Sequence, residues 1–360
     1  MTPPDLNNVI KAAVEEAVRE RGRMNVLIAG RSGVGKSTLI NAVFQGNLAT
    51  TGQGRPVTRN TREITKEGIP LTIFDTRGLE MAAFDETLRE LQKLVEERTQ
   101  DRDPLRHIHV AWVCIQEDGR RVEDAEIKLH EMLARHMPVI GVITKSRSDQ
   151  GFRAEVQRLL PRSRNIINVR AIAEPLDDSE LVLPPKGLKE LVELTAEVIP
   201  EGQRRAFGAA QKASIGYKKK LAHGIVAGAA VTALAIGASP IPFTQALVLA
   251  PVQIGMLAGI SAVFGLELST AFLTTLVGSV TGPVAATLAG QALVAELLKF
   301  LPGTNVVGMA VSGATAAVLT TMVGEAYLAT LVALFASGDG EPPSAQEVQA
   351  AFRDRLNSKR

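Results

Sequence analysis

The sequence predicts an α/β domain, a mostly parallel sheet flanked by helices around a phosphate-binding loop, followed by an all-α apolar domain. Three observations predict it. Gly30-Arg31-Ser32-Gly33-Val34-Gly35-Lys36-Ser37 fits the pattern G-x-x-x-x-G-K-[ST] directly after the apolar run Met24–Ala29. From Met24 to about Pro200, apolar strand-like runs alternate with charged helical patterns, as in a parallel sheet covered by helices. Between residues 221 and 338 only Glu267, Glu296, Lys299 and Glu325 carry a charge.

A chain of 360 residues is long enough for about two domains. Residues 1–22 form an amphipathic N-terminal helix, with Val9, Ile10, Ala13, Val14 and Val18 at helical spacing. Residues 23–200 form the α/β domain. Its strands are expected at Met24–Ala29, Leu71–Phe74, His109–Ile115, Val139–Thr144 and Ile166–Val169, with Glu63–Ile69 as an edge strand. Helices are expected at Asp85–Glu97, Val122–Arg135, Arg153–Leu160 and Gly187–Val198. Residues 201–222 are a basic linker helix, with Arg204, Arg205, Lys212 and the cluster Lys218, Lys219, Lys220. Residues 223–338 form the apolar helical domain, and residues 339–360 a linker and a short terminal helix.

In the loop, glycines let successive backbone N–H groups turn around a β-phosphate, and Lys36 adds positive charge at the β- and γ-phosphates. The Ser37 hydroxyl is placed to ligate Mg²⁺. Thr38 opens a helix whose N-terminal amides and dipole favour the same anion. Asp75, in Phe74-Asp75-Thr76-Arg77-Gly78, ends a strand, where its carboxylate can hold Mg²⁺ and the Gly78 amide can reach a γ-phosphate. Between them Gly54–Thr61 reads as a flexible loop. It offers a threonine hydroxyl to the metal, Thr58 in preference to Thr61, with a plain solvated threonine as the alternative. The catalytic set is therefore Lys36, Thr58 and Gly78.

Thr144-Lys145-Ser-Arg147-Ser-Asp149 follows a further strand and resembles the guanine-reading pattern [NT]-K-x-D. Together these motifs resemble a small GTPase domain of the Era, TrmE and septin class, over about residues 23–200. The resemblance implies GTP as substrate and Mg²⁺ as cofactor, with the Lys145 stem on the guanine plane and an aspartate accepting from base N1 and N2. The residue two after Lys145 is Arg147, so that aspartate would be Asp149. The alternative is that Asp149 caps the following helix. Val169-Arg170-Ala171 matches the last family motif loosely, and its Ala171 amide is placed to contact the base.

Two departures bear on turnover. Leu79 stands where Ras-like proteins carry a water-orienting glutamine, and Gly33 where the Era and TrmE group carries an asparagine associated with potassium-assisted hydrolysis. Hydrolysis is therefore expected to be slow without a homodimer or an activating partner. Arg59, Arg62 and Arg77 are in-chain candidates for charge stabilisation, with solvated arginines as the alternative. The five histidines show no metal-ligand spacing, and Cys114, the single cysteine, reads as a buried thiol in a reducing compartment.

The apolar region divides into four candidate spans, Leu221–Ala238, Phe243–Phe264, Ser269–Leu298 and Asn305–Phe335, in a stretch punctuated by prolines. Gly224/Gly228, Gly255/Gly259 and Gly278/Gly282 have the spacing that lets helices approach closely. Basic residues on both flanks suit cytosolic ends. The scarcity of aromatic residues and the abundance of Ala, Gly and Thr fit a soluble bundle equally well. Phosphate-loop domain and proline-broken helices together resemble an uncharacterised bacterial GTPase family with a helical C-terminal domain.

No secretory signal is read at the N-terminus, so the nucleotide domain is expected in the cytoplasm, at the inner face of the cell membrane or free of it. The expected role is a GTP switch coupled to a membrane-associated helical domain. The alternatives are a soluble Era-like RNA or ribosome assembly factor binding through Arg204–Lys220, and a nucleotide-binding scaffold with negligible turnover. A net charge of +2 and the lack of an aromatic-rich RNA-binding module argue against nucleic acid as a partner.

Overall fold

A computed structural model of the chain describes residues 6–76, 84–176, 181–237, 245–281, 313–338 and 340–357. The chain forms two compact units, Gly22–Ser214 and Met1–Arg21 with Ile215–Arg360.

The first unit is built on β1 (Met24–Ala29), β2 (Gln53–Thr58), β3 (Thr61–Thr65), β4 (Leu71–Thr76), β5 (Val110–Gln116), β6 (Val139–Thr144) and β7 (Asn165–Asn168). Their order is β2-β3-β4-β1-β5-β6-β7. β4, β1, β5, β6 and β7 run parallel, while β2 and β3 attach antiparallel. β1, β4 and β6 are buried at every position, which explains why they read as unbroken apolar runs rather than alternating ones. Glu63–Ile69, read as an edge strand, is instead the inner strand Thr61–Thr65, and the edge is the mostly exposed β2. The stretch 54–61, read as a flexible loop, is the β2–β3 hairpin. Gly54, Pro56 and exposed Arg55 hide β2, because an edge strand in solvent needs no apolar alternation.

Helices α4 (Phe84–Thr99) and α5 (Asp124–Leu133) cover one face through Leu91, Leu94, Val95, Leu129 and Leu133. α2 (Lys36–Val43) is followed by a short helix, α3 (Leu48–Thr51), then in chain order by α6 (Phe152–Leu159), α7 (Leu188–Val198) and α8 (Arg204–Ala210). The single Trp112, fully buried, stacks on Phe44 at a centroid distance of 5.6 Å, and its Nε1 donates to Thr195 Oγ1 at 3.2 Å. Phe44 in turn meets Phe207 of α8 edge-on at 6.3 Å. Such ring pairs contribute about 0.5–1.5 kcal/mol beyond burial. They bind α7 and α8 into the core.

The second unit contains α1 (Leu6–Arg21), α9 (Ile215–Gly237), α10 (Gln245–Phe264), α11 (Thr270–Thr281), α12 (Gly313–Ser337) and α13 (Ala345–Asn357). The apolar stripe of α1 ends in this core: Ile10 and Ala17 are buried among residues of α9 to α13. α13 starts at a capping box between Ser344 and Glu347 and buries Val348, Phe352 and Leu356, one turn apart. Residues 201–222, read as one basic linker helix, divide between α8 and the start of α9.

Two readings of the apolar region change. Lys218 is not a surface charge. It is fully buried, donates to the Phe264 carbonyl at 3.2 Å and lies over the rings of Phe264 and Phe335, so only Lys219 and Lys220 of the cluster are exposed. Among the described glycines of this unit the most tightly approached is Gly324, where a Cβ would meet Val226 at 2.7 Å and Met256 at 2.8 Å. Of the paired glycines, Gly259 lies within contact of Ile225, whereas a Cβ at Gly224, Gly228, Gly255 or Gly278 meets no atom within 4 Å among the described residues, and Gly282 lies outside them. Pro251 sits inside α10 without ending it. The spans read at Leu221–Ala238, Phe243–Phe264, Ser269–Leu298 and Asn305–Phe335 all lie partly outside the described residues. α9, over Ile215–Ile236, and α12 are long and apolar enough to cross a membrane.

Candidate nucleotide-binding site

β1 delivers the chain to the loop at the C-terminal edge of the sheet, where Ala29 pairs with Val113. Gly30 follows immediately. A Cβ there would stand 2.5 Å from the Cys114 carbonyl oxygen, so only hydrogen fits between β1 and β5. Gly33 and Gly35 have φ of 76° and 99°, values that favour glycine. Gly35 is the N-cap of α2 and supplies no side chain, leaving the first-turn amides to a ligand or solvent. Lys36 folds back over the loop, its Nζ donating to the carbonyls of Gly30 at 2.8 Å and Arg31 at 3.0 Å. Arg31, Ser32, Ser37 and Thr38 are exposed, and Val34 is buried beneath them. Arg31 lies 3.4 Å from Glu123.

The other half of the site comes from β6. Thr144 is buried, and its hydroxyl lies 2.6 Å from the Val34 carbonyl and 3.2 Å from that of Ile115. It anchors the phosphate loop to the sheet. Lys145 is exposed with φ of 52°. Buried Glu117 then shapes the turn: it accepts from Ser146 Oγ at 2.7 Å, Arg147 N at 2.5 Å and Ser148 N at 2.9 Å.

Asp149 is engaged away from the loop. Its Oδ1 accepts from Arg153 N in the first turn of α6 at 2.9 Å and from Asn168 Nδ2 at 3.0 Å. The Asn168 amide, first, and the α6 amide hold its carboxyl below the usual range. The capping alternative is thus the arrangement seen. A cavity of about 350 Å³ opens beside the loop, lined by Gly35, Thr38, Thr144, Lys145, Ala171, Asp118 and Glu174 among others. Ala171 lines it; Asp149 does not. Sequence reasoning missed Glu117, Asp118 and Glu174. The first two directly follow a strand at the loop-bearing edge, which is a usable signal, whereas Glu174 carries none.

Asp75 is buried near the end of β4, paired in register with Ile28 of β1. Its Oδ2 lies 3.5 Å from the Arg62 guanidinium. Thr58 faces Thr61 across the hairpin turn and Thr61 pairs with Thr76, so all three threonines share the edge that carries Asp75. Thr61 is buried; Thr58 is partly exposed, with its hydroxyl accepting from Asn60 N at 3.3 Å. Gly78, Arg77 and Leu79 lie outside the described residues. The Ser37 hydroxyl, the Thr58 hydroxyl and the Asp75 carboxylate are hard oxygen donors, a set whose chemistry fits Mg²⁺.

His109 is engaged by backbone groups. His109 Nδ1 accepts from Asn25 N at 3.0 Å and Nε2 lies 3.2 Å from the Pro104 carbonyl. Among the described residues no group of three or more His, Cys, Asp or Glu side chains forms a metal site.

Residues 25–145 match the family model described as 50S ribosome-binding GTPase, and residues 205–357 match one described as a domain of unknown function, DUF697. The tRNA modification GTPase MnmE of Cupriavidus pinatubonensis is 33% identical over 151 residues, which are 39% of this chain and 30% of that protein. Cell division control protein 10 of Candida albicans is 28% identical over 183 residues, 42% of this chain and 50% of that protein. A solved structure of a probable GTP-binding protein engB aligns at 19% identity and a TM-score of 0.33, covering 49% of this chain and 98% of its own. The chain thus spans about 30% of the length of the tRNA modification GTPases it matches. The chain carries a GTPase domain similar to those of the tRNA modification GTPases and of cell division control protein 10, followed by a region that matches DUF697.

Proposed function

We propose that the chain is a GTP-hydrolysing switch, slow on its own, whose nucleotide state is passed through residues 201–222 to a membrane-associated helical domain. The observation that carries the nucleotide half is the loop itself. Gly33 and Gly35 hold positive φ, α2 begins without a side-chain cap, and Lys36 is curled over the loop beside a cavity of about 350 Å³. Among the described residues Lys36 Nζ donates only to backbone carbonyls, so its ammonium can pass to phosphate oxygens. The Ala171 backbone and the Lys145 stem frame a base at the cavity.

Ser37, Thr58 and Asp75 would hold Mg²⁺, which when bound offsets phosphate charge. Leu79 supports slow turnover, since an aliphatic side chain orients no water. An arginine or polar group from a second copy or a partner would complete the charge stabilisation.

Three features support the membrane half. α9 and α12 are long and apolar enough to span. They also expose Val231 (67%), Leu234, Val318 and Met322. Lys219 and Lys220 add charge for anionic lipid. A soluble bundle is the second reading, favoured by the inner face of α12 and by α10, whose residues Leu257 to Phe264 are all buried.

Lys36→Ala tests the first half. Nucleotide affinity is expected to fall roughly 10–100-fold, the worth of a charge-assisted contact, with the thermal melt unchanged. Equal affinity would sink the loop assignment. Carbonate and high-salt extraction of cell membranes tests the second half. Retention of the chain through both supports insertion, release by salt leaves electrostatic docking, and recovery in the soluble fraction favours the bundle. Co-sedimentation with ribosomal particles would instead favour the assembly-factor alternative.

A further inference from the structure

Guanine presents adjacent donors at N1–H and its 2-amino group, and a carboxylate is the side chain that accepts from both. Asp149 is committed to the α6 amide and to Asn168, and it does not line the cavity. Two other carboxylates do, Asp118 and Glu174. Asp118 is exposed, and its Oδ2 accepts from Gln116 Nε2 at 2.7 Å. Glu174 is more enclosed, with 28% of its side chain exposed.

Glu174 is also held. Arg147 Nε lies 3.0 Å and Nη2 2.6 Å from the same atom, Glu174 Oε1. The Arg147 backbone is pinned in turn, its N–H donating to buried Glu117 at 2.5 Å. Glu174 Oε2 accepts no hydrogen bond among the described residues, so both of its lone pairs are open to donors. Arg147 stands where the pattern [NT]-K-x-D has its acid. The chain thus carries a cation at that position and a carboxylate at the cation's far end, beside Lys145 and Ala171.

We propose that Glu174, positioned by Arg147, is the residue that selects guanine in this chain, in place of Asp149. This rests on the reading that the cavity takes a guanine nucleotide. Arg147 is a positioning residue: pinned at both ends, it limits the rotamers that Glu174 would otherwise lose on binding.

The test is titration of the full chain with GTP, ITP and XTP in the presence of Mg²⁺. ITP lacks the 2-amino group, and XTP carries an oxygen in its place. The unaltered chain is expected to bind GTP most tightly. Glu174→Gln is expected to weaken GTP about tenfold or more, to close the gap between GTP and ITP, and to strengthen XTP, whose 2-oxo group the new amide can donate to. Arg147→Ala is expected to weaken GTP without strengthening XTP, and Arg147→Lys to restore part of the loss. Asp149→Asn should leave the three affinities in the same order and ratio.

An unchanged GTP-to-XTP ratio in Glu174→Gln, or a ratio inverted by Asp149→Asn or Asp118→Asn instead, overturns the assignment while leaving the nucleotide site intact. Failure of the unaltered chain to bind GTP, or binding that survives Lys36→Ala unchanged, overturns the underlying reading itself. Circular dichroism of each variant separates loss of selection from loss of fold.

Discussion

The Thr144 hydroxyl donates to the Val34 carbonyl across 2.6 Å, joining the end of the strand that carries the base-proximal turn to the middle of the phosphate loop. The two halves of the nucleotide site are therefore mechanically one. Thr144→Val keeps the shape and removes the donor, leaving the Val34 carbonyl without its partner. Stability should fall by about 1–3 kcal/mol, the cost of an unsatisfied buried group, and GTP affinity should fall with it. Urea denaturation and nucleotide titration check this, and Thr144→Ser should recover both.

Gly30→Ala is a harsher change than its one carbon suggests. Its Cβ meets a backbone oxygen of Cys114 at 2.5 Å, and a backbone atom in a central strand cannot swing aside. The expected cost is about 1–3 kcal/mol of overpacking strain together with a shifted loop, hence weaker nucleotide binding. A variant with wild-type melting and wild-type affinity would show that the sheet yields more readily than these distances allow.

Acidification should destabilise the α/β unit through its buried histidines. Burial, foremost, lowers the pKa of both His109 and His130, and the Asn25 N–H requires His109 Nδ1 to stay unprotonated. A depressed folded pKa means the unfolded chain binds more protons as pH falls. The contribution is therefore complete above the ordinary histidine value of about 6.5 and is lost progressively below it. Urea midpoints measured at pH 7.5 and 5.5 should show this decline, and His109→Gln should flatten part of it.

Cys114 is fully buried, and burial pushes its thiol up to about 12. A thiol of that pKa is almost entirely protonated at pH 8 and has no route to a reagent. Labelling by an aromatic disulfide should therefore be negligible in the folded chain and complete in denaturant. Rapid labelling under native conditions would reveal opening between β1 and β5.

The elements that sequence made legible are those whose signal is local. β1, β4 and β6 are buried on both faces and so are written as continuous apolar runs, and the glycines of the loop are dictated by φ and by the nearness of Cys114. β2 was hidden because an exposed edge carries no apolar period. Lys218 was hidden because three adjacent lysines look alike until a helix turns one of them inward between Phe264 and Phe335. Asp149 fits a capping role and a base-reading role with the same residue type, and the Arg153 amide of α6 together with Asn168, a neighbour from β7, holds it in the first. Glu174 lies outside every motif and gains its meaning from Arg147.

Arg62 and Asp75 face each other in register across β3 and β4, with the guanidinium 3.5 Å from the carboxylate. A divalent cation drawn to Asp75 and the arginine of the neighbouring strand would thus compete for a single negative charge. Were Asp75 to hold such a cation, the competition would be reciprocal: withdrawing Arg62 would raise the affinity of Asp75 for metal, and metal held there would weaken the Arg62 contact by the same free energy. Loading the site and releasing the hairpin would then be two faces of one equilibrium, in which Arg62 is one of the competitors.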